Sequence, residues 1–389
     1  MLVFILCLLL PASLAAPPAW GAEVAQRSIF EAHTGFEDWI EYTAGEGEAN
    51  RLKIDVVPAS SGPSGRRYRL TERGSGVVLA DGDGEHGCDV SGNVALCPYP
   101  YPDWIEVELG DGDDWIDNAT DVESRVSGGS GEDVLWGGSR RDSLAGNDGS
   151  NQLHGRGGDD FLADGSGAGL LDGGDGRDTL VGGAGADSFS GGRGLDEVSY
   201  LDRFSSPVFV TLDGDANDGD SSDVSGDRRE NVPRTIERVE GGYGNDVLEG
   251  TAGDQWLTGG QGDDVLIGRT GADTLNGWTG FDTISYEGRT RPVAVRLDGR
   301  RNDGTDRNGD FKGDEGDRDI DIDKVIGGSG RDFLKGNRDR NWLFGGRGND
   351  LLAGMDGTSR QDELACGPGG GDRVRSDPSD IRSGCEGRF

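Results

Sequence analysis

The residues best placed to do chemistry in this sequence are aspartates that recur every nine residues. From Gly128 the chain divides into nonapeptides such as GGSGEDVLW, GGSRRDSLA and GGDGRDTLV, and related nonapeptides begin again at Gly241 and Gly327. Of the sixteen copies, twelve have Asp at the sixth position, fourteen have Gly at the fourth, and all have an apolar residue at the eighth. A flexible Gly/Asp linker has no reason to keep this apolar residue, so the spacing indicates a folded repeat.

Each nonapeptide predicts a tight turn followed by a short strand. Glycines at the first, second and fourth positions allow the positive φ angles that a tight turn requires. The last three residues form a strand whose central apolar side chain points inward. Because so short a unit cannot bury its apolar residue alone, the units must stack into a solenoid.

Stacking would align the aspartates in columns along the edges of the solenoid. A column of carboxylates is unfavourable unless a cation lies within it, and ligation by carboxylate and turn carbonyl oxygens selects a hard ion such as Ca²⁺. The segment Leu109–Asp117 also fits the pattern and would supply an earlier turn. The predicted metal ligands are Asp114, Asp133, Asp142, Asp160, Asp178, Asp187, Asp196, Asp246, Asp264, Asp273, Asp282, Asp332 and Asp350.

These units closely resemble the G-G-x-G-x-D-x-U-x nonapeptide of the RTX, or haemolysin-type, calcium-binding repeats. The resemblance implies an all-β protein built on a parallel β-roll (the RTX β-solenoid). In that family two consecutive nonapeptides form one turn, and Ca²⁺ lies between turns on either edge. Alternate copies of the repeat would then lie on opposite edges of the roll.

This alternation predicts unequal edges. In the first block one edge carries Asp142, Asp160, Asp178 and Asp196. The opposite edge carries Asp114, Asp133, Asn151, Gly169 and Asp187, and is broken in the middle. In the second block one edge carries Asp246, Asp264 and Asp282, and the opposite edge carries Gln255 and Asp273. In the third block one edge carries Asp332 and Asp350, and the opposite edge carries Asn341. We therefore expect calcium mainly on one edge of each block, at roughly six sites, since the number of charged ligands tunes affinity.

The chain divides into eight regions. We predict a signal peptide at 1–22, a small N-terminal β region at 23–108, roll blocks at 109–199, 241–285 and 327–353, acidic excursions at 200–240 and 286–326, and a C-terminal cap at 354–389. The excursions resemble each other, and Val208–Leu212 and Val293–Leu297 alternate as strands do. The acidic loops that follow these strands are either further calcium sites or solvated loops.

The N-terminus and the cysteines predict export. Leu2–Leu10 is an almost continuous apolar run that ends in small residues near Ala22, which is typical of a secretory signal peptide, although no Lys or Arg precedes it. A buried N-terminal helix is the alternative. Removal of the signal would leave four cysteines, whose short-range pairs are Cys88–Cys97 and Cys366–Cys385. A zinc site is the other possibility, but there is no C-x-x-C motif. Paired disulfides agree with an oxidising compartment.

Composition excludes several classes of protein. With 73 acidic and 38 basic residues the net charge is −35, which would repel nucleic acid. Beyond the N-terminus no apolar run approaches the ~20 residues of a membrane span. The 72 glycines do not recur every third residue, so the chain is not collagen. A hydrophobic fraction of only 33% would by itself indicate disorder, but the regular spacing argues against that.

No catalytic motif is recognisable. The sequence contains neither H-E-x-x-H nor G-x-S-x-G, and its three histidines are scattered. We expect a secreted or cell-surface calcium-binding β-roll protein that is not an enzyme and has Ca²⁺ as its cofactor. The alternatives are a polysaccharide-acting β-solenoid enzyme of the lyase or epimerase type, and a calcium-dependent adhesin or matrix protein. The expected partners are calcium and an extracellular polysaccharide or protein.

Overall fold

The computed structural model describes residues 29–33, 39–44, 49–58, 66–73, 80–81, 88–98, 103–203, 206–220, 230–310, 313–354, 357 and 360–388. The predicted signal peptide lies outside these residues. Every regular element within them is a β-strand, which confirms the all-β class.

The strands are numbered in chain order. The N-terminal strands are β1 (Ile29–His33), β2 (Trp39–Thr43), β3 (Arg51–Pro58), β4 (Arg66–Glu72), β5 (Ala80–Asp81), β6 (Asp89–Ser91), β7 (Val94–Pro98) and β8 (Trp104–Glu108). The next ten are β9 (Trp115–Ala119), β10 (Glu123–Ser130), β11 (Val134–Trp136), β12 (Asp142–Asp148), β13 (Gln152–Gly157), β14 (Phe161–Ser166), β15 (Leu170–Gly176), β16 (Thr179–Ala184), β17 (Ser188–Gly194) and β18 (Glu197–Ser199).

The second half of the chain is equally rich in short strands. They begin with β19 (Val208–Thr211), β20 (Gly219–Asp220), β21 (Arg238–Glu240), β22 (Val247–Glu249), β23 (Trp256–Gln261), β24 (Val265–Ile267), β25 (Thr274–Thr279), β26 (Thr283–Ser285), β27 (Val293–Arg296) and β28 (Gly304–Thr305). They end with β29 (Arg318–Ile320), β30 (Lys324–Ile326), β31 (Phe333–Lys335), β32 (Trp342–Phe344), β33 (Leu351–Ala353), β34 (Glu363–Ala365), β35 (Arg373–Arg375), β36 (Ile381–Ser383) and β37 (Gly387–Arg388).

Successive turns of a parallel solenoid stack these strands into facing sheets. Leu144 of β12 pairs with Leu162 of β14, which pairs with Leu180 of β16. On the facing sheet Leu135 pairs with Leu153. Paired residues are 18 apart, so two nonapeptides form one turn, as the resemblance implies. The eighth-position side chains fill the interior between the sheets, because each strand turns one apolar residue inward.

Four sheets build the roll. Sheet A has the order β29-β25-β23-β21-β18-β16-β14-β12-β10-β8-β2-β1-β5, and sheet B has β17-β15-β13-β11-β9-β3-β4-β7-β6. Sheet C has the order β20-β19-β22-β24-β26-β30-β32-β34-β36, and sheet D has β28-β27-β31-β33-β35-β37. Each excursion therefore ends one sheet and begins its replacement, while the other sheet continues unbroken.

The excursions start these replacements in the same way. β19 pairs antiparallel with β20 and parallel with β22, and β27 pairs antiparallel with β28 and parallel with β31. The predicted strands at 208–212 and 293–297 thus lie at the start of sheets C and D. The chain then returns to the continuing sheet through β21 in the first excursion and through β30 in the second, where β29 is the last strand of sheet A.

A disulfide lies in the N-terminal region and another near the C-terminus, and both predicted pairings are confirmed. Cys88 is bonded to Cys97, beside the antiparallel strands β3, β4, β6 and β7 that extend sheet B. Cys366 is bonded to Cys385. Residues 360–388, within the region predicted as a cap, contribute four more strands to sheets C and D.

Within the described residues no helix is long and apolar enough to cross a bilayer.

Candidate metal centre

The sixth-position aspartates form hydrogen-bonded columns along the edges of the roll. On the first edge of block 1, each backbone N–H donates to the carboxylate one turn further on. Asp142 N–H donates to Oδ1 of Asp160 at 2.7 Å, Asp160 N–H to Asp178 at 2.9 Å, and Asp178 N–H to Asp196 at 3.0 Å. Each accepting carboxylate therefore lies against the backbone of the preceding turn. All four side chains are buried.

The second carboxylate oxygen of many of these aspartates has no hydrogen-bond partner. This Oδ2 atom is buried and unpartnered, among the described residues, in Asp114, Asp133, Asp160, Asp178, Asp196, Asp264, Asp273 and Asp350. A buried anionic oxygen without a donor is costly unless a cation reaches it. The first Asp on the Asp-rich edge of each block differs, because Gly138, Gly242 and Gly328 donate to Oδ2 of Asp142, Asp246 and Asp332 at 2.6–2.7 Å.

The first-position glycine makes room for this oxygen. A Cβ atom on Gly155 would lie 2.3 Å from Oδ2 of Asp160 and 2.5 Å from the carbonyl oxygen of Gly173 in the next turn. We call this space, between a first-position glycine, the Asp Oδ2 and the next turn's carbonyl oxygen, the cradle. It occurs again at Gly241, where a Cβ would lie 2.4 Å from Oδ2 of Asp246 and 2.3 Å from the carbonyl oxygen of Gly259. Carboxylate and main-chain oxygens thus converge at the edge, and both are ligands that Ca²⁺ accepts.

Glycines at the second and fourth positions let the turns stack closely. Gly174 and Gly176 have φ angles of 105° and 150°. A Cβ on Gly176 would lie 1.5 Å from the carbonyl oxygen of Gly158 in the preceding turn. A side chain here would separate the turns and remove the oxygens from the edge.

Burial disfavours the ionised form of these carboxylates. Burial raises the pKa of Asp160 to about 7, although the hydrogen bond from the Asp142 N–H lowers it. The negative charges of Asp142, Asp178 and Asp159 raise this pKa further. Burial likewise raises the pKa of Asp264 and of Asp350 to about 7. Without a cation the columns therefore oppose the folded state at neutral pH.

The other predicted ligands fall into similar columns. On the second edge of block 1 Asp114 N–H donates to Asp133, Asp133 N–H to Asn151, and Gly169 N–H to Asp187. In block 2 Asp246 N–H donates to Asp264 and Asp264 N–H to Asp282, while opposite them Gln255 N–H donates to Asp273. In block 3 Asp332 N–H donates to Asp350 at 2.9 Å.

The columns extend beyond the predicted residues. Asp350 N–H donates to Asp372, and on the opposite edge Asn341 N–H donates to Asp362 and Asp362 N–H to Asp380. For Asp362 and Asp372 the signal is an Asp-x-apolar tail, as in Asp362-Glu363-Leu364, which remains after the glycine-rich half of the repeat has changed. Asp380 lacks this signal, because Arg382 stands at the apolar position.

The excursions also return acidic side chains to the columns. Asp196 N–H donates to Glu237 at 3.0 Å, Asp273 N–H to Asp317 at 3.1 Å, and Asp282 N–H to Asp323 at 3.0 Å. Each of these acids occupies the place that a sixth-position Asp holds elsewhere. No complete nonapeptide surrounds them, so the periodic pattern did not predict them.

The second acidic loop contains a buried pair of carboxyl groups. Asp303 is fully buried and Asp319 nearly so. Burial and a hydrogen bond with Asp319 raise the pKa of Asp303. Asp303 Oδ1 also accepts a bond from the Arg296 N–H at 2.6 Å and ties the loop to β27.

In the described part of the chain, no three His, Cys, Asp or Glu side chains gather into a group that could hold a metal ion. An ion at the edges would therefore be held by fewer acidic side chains together with main-chain oxygens.

The fold and the edges together define a calcium-binding β-roll. The family model of the RTX calcium-binding nonapeptide repeat (4 copies) matches residues 127–162, 164–198, 235–254, 249–284 and 320–359. The repeats of this chain are thus RTX calcium-binding repeats, and calcium is the ion that they bind. No curated protein matches the chain. Proteins of this repeat type are typically non-catalytic, and the absence of enzyme activity here stays a prediction.

Proposed function

We propose that the protein is secreted and that calcium binding to its stacked turns drives the repeats to fold. The observation that carries the proposal is the set of buried Oδ2 atoms without a hydrogen-bond partner. Structures seldom leave a buried anionic oxygen unpaired, and one at each of three successive turns of the first edge points to a ligand role.

The sixth-position aspartates and the turn carbonyls would hold the ions. Asp160, Asp178 and Asp196 present the Oδ2 atoms on the first edge of block 1, and the cradle of Gly155 keeps that space free of a side chain. Bound calcium supplies the positive charge that the column lacks. The Oδ1 atoms meanwhile accept the N–H bonds that fix the spacing between turns.

Without calcium, folding of the repeats is opposed from two sides. Each short strand buries essentially one apolar side chain, such as Leu162 or Leu180. That gain is about 1.5–3 kcal/mol per strand, against a backbone entropy cost of about 1–2 kcal/mol for every ordered residue. The aspartate columns add repulsion and desolvation. Ions that bind only the folded turns shift the equilibrium by mass action.

Secretion agrees with the apolar N-terminal run, the two disulfides and the calcium concentration outside cells. The apolar run Leu2–Leu10 is typical of an export signal, and the two disulfides form in oxidising compartments. Extracellular calcium modules bind with constants of roughly 10⁻⁴–10⁻³ M. A chain whose repeats fold at such concentrations would pass the export machinery expanded and fold outside the cell.

Far-ultraviolet circular dichroism of the mature chain tests coupled folding. We expect a strong β signal at millimolar calcium, its loss in excess EDTA, and its return when calcium is added back. Magnesium at the same concentration serves as the control for ionic strength and divalent charge. A spectrum that is identical in EDTA and in calcium would overturn the proposal.

A further inference from the structure

One nonapeptide of the first block reverses the positions of its glycine and aspartate. Fifteen of the sixteen copies begin with Gly, but the copy DGSGAGLLD begins with Asp164 and has Gly169 at the sixth position. By the repeat pattern alone, Gly169 breaks the aspartate column on the second edge of block 1.

The structure places the carboxylate of Asp164 where the missing one would be. A Cβ atom on Gly169 would lie 2.6 Å from Oδ2 of Asp164. In an ordinary copy the glycine is at the first position and the aspartate at the sixth: a Cβ on Gly155 would lie 2.3 Å from Oδ2 of Asp160. Glycine and aspartate have exchanged positions, and the carboxylate enters the same cradle from the other side.

Asp164 also interacts with Asn151, one turn before position 169. The backbone N–H of Asn151, which an Asp at position 169 would engage, favours the charged form of the Asp164 carboxylate and lowers its pKa. The Asn151 side chain donates from Nδ2 to Oδ1 of Asp164 at 2.7 Å.

The remaining oxygen has no partner. Asp164 is 2% exposed, and its Oδ2 is buried with no hydrogen-bond donor among the described residues. Oδ2 of Asp133, which is 1% exposed, is in the same state. The negative charge of Asp133 acts on Asp164 across the Asn151 turn and adds to the effect of burial in raising the pKa of Asp164 to about 6.

We propose that Asp164 and Asp133 hold a calcium ion on the second edge of block 1, across the turn that contains Asn151. The proposal rests on calcium binding by the roll and adds a ligand outside the sixth position. It also makes the edge that the sequence pattern leaves broken competent to bind calcium between Asp114 and Asp187.

The test is the number of calcium ions bound per chain at saturation, measured by equilibrium dialysis and elemental analysis. We expect Asp164→Asn to bind one ion fewer than the wild-type chain. Asp175→Asn removes the same charge from an exposed side chain (68% accessible) nearby, and it should keep the full number.

A second variant separates ligand loss from misfolding. Asp164→Gly combined with Gly169→Asp restores the ordinary order of the repeat, and Gly169 lacks the positive φ that would oppose an aspartate. This double variant should recover the wild-type number of ions. If D164N binds as many ions as the wild type, or if the folded double variant stays one ion short, the proposal is wrong.

The same experiment distinguishes this proposal from the proposed function. A wild-type chain that binds no calcium would overturn both. If the wild-type chain binds several ions and the D164N variant binds the same number, only the role of Asp164 is overturned.

Discussion

At the scale of residues, the sixth-position aspartates that follow the first turn of an Asp-rich edge divide their two oxygens between two tasks. One oxygen accepts an N–H from the neighbouring turn, as Asp160 does from Asp142, and the other is left in a buried cradle beside a glycine. The first task fixes the spacing of the turns, and the second makes that spacing dependent on a cation. Structure and ion binding are thereby coupled through a single side chain.

This coupling predicts a pH dependence. The pKa of Asp160, and likewise of Asp264, is raised to about 7, well above the ~3.9 of an unfolded Asp. Between these values the folded, metal-free roll holds more protons than the unfolded chain, so its stability falls as pH rises. Calcium must displace those protons. Lowering the pH from 7.5 to 5.5 should therefore stabilise the metal-free roll, and calcium that binds the folded roll at pH 5.5 should release protons.

Circular dichroism in excess EDTA at the two pH values measures this change. We expect more β signal at pH 5.5 than at pH 7.5, and a larger gain of β signal on addition of calcium at pH 7.5. An EDTA spectrum that is the same at both pH values would contradict buried aspartates with raised pKa values in the columns.

The cradle itself can be tested with two neighbouring glycines. Gly155→Ala would place a methyl group 2.3 Å from Oδ2 of Asp160, and overpacking of this kind costs about 1–3 kcal/mol. Gly157→Ala is the matched control, because its Cβ would meet nothing closer than the Asp175 carbonyl oxygen at 3.6 Å. We expect G155A to lower the melting temperature in calcium and to weaken binding, and G157A to do neither. Equal behaviour of the two variants would contradict the cradle.

Much of this residue-scale arrangement could be predicted from the sequence. A constant Asp with an apolar residue two places later determines which side chains align, and the structure brings Asp142, Asp160 and Asp178 together as expected. Asp164 and Glu237 could not be predicted in this way. The carboxylate of Asp164 reaches the column from the first position of its repeat. Glu237 is in register with the column, but it lies in an excursion where no complete nonapeptide surrounds it.

At the scale of elements, the roll is built from short strands that each contribute one buried side chain. Leu162 of β14 lies between Leu144 and Leu180, in register on either side. No strand has a core of its own, so each depends on the turns above and below. Stability then propagates between neighbouring turns, as in other solenoids.

A substitution in one strand should therefore affect the whole block. Leu162 is fully buried, and Leu162→Ala should cost about 2–5 kcal/mol and raise the calcium concentration at the folding midpoint. The preceding Phe161 is 38% exposed on the same strand, and Phe161→Ala should change stability by about 0.5 kcal/mol or less. Calcium titration of both variants checks this, and a larger effect at Phe161 would contradict the inward orientation of the eighth position.

The role of the excursions was only partly predictable at this scale. Alternating residues predicted the strands near Val208 and Val293, and both exist. The exchange of sheet B for C, and of sheet A for D, depends on pairings across more than thirty residues, such as Phe209 with Val247. Local alternation contains no information about which distant strand a segment will join.

At the scale of the whole molecule, overlapping sheets join the three blocks. Sheet A runs from the N-terminal region through block 2, and sheet C runs from the first excursion to β36. Every block therefore shares a sheet with its neighbour, and no boundary interrupts both faces at once. Composition alone, with a net charge of −35, suggested a disordered chain. The spacing of its acids along shared edges explains how calcium can make it an ordered one.

The most direct test is the anomalous signal of calcium in crystals of the calcium-saturated protein. We predict peaks along the edges of the roll beside the buried Oδ2 atoms, on the first edge next to Asp160, Asp178 and Asp196, and on the second edge between Asp133 and Asp164. Fewer ions are expected on the second edge, where Asn151 and Gly169 replace aspartates. Edges without calcium, or ions bound only in the exposed acidic loops, would contradict the account.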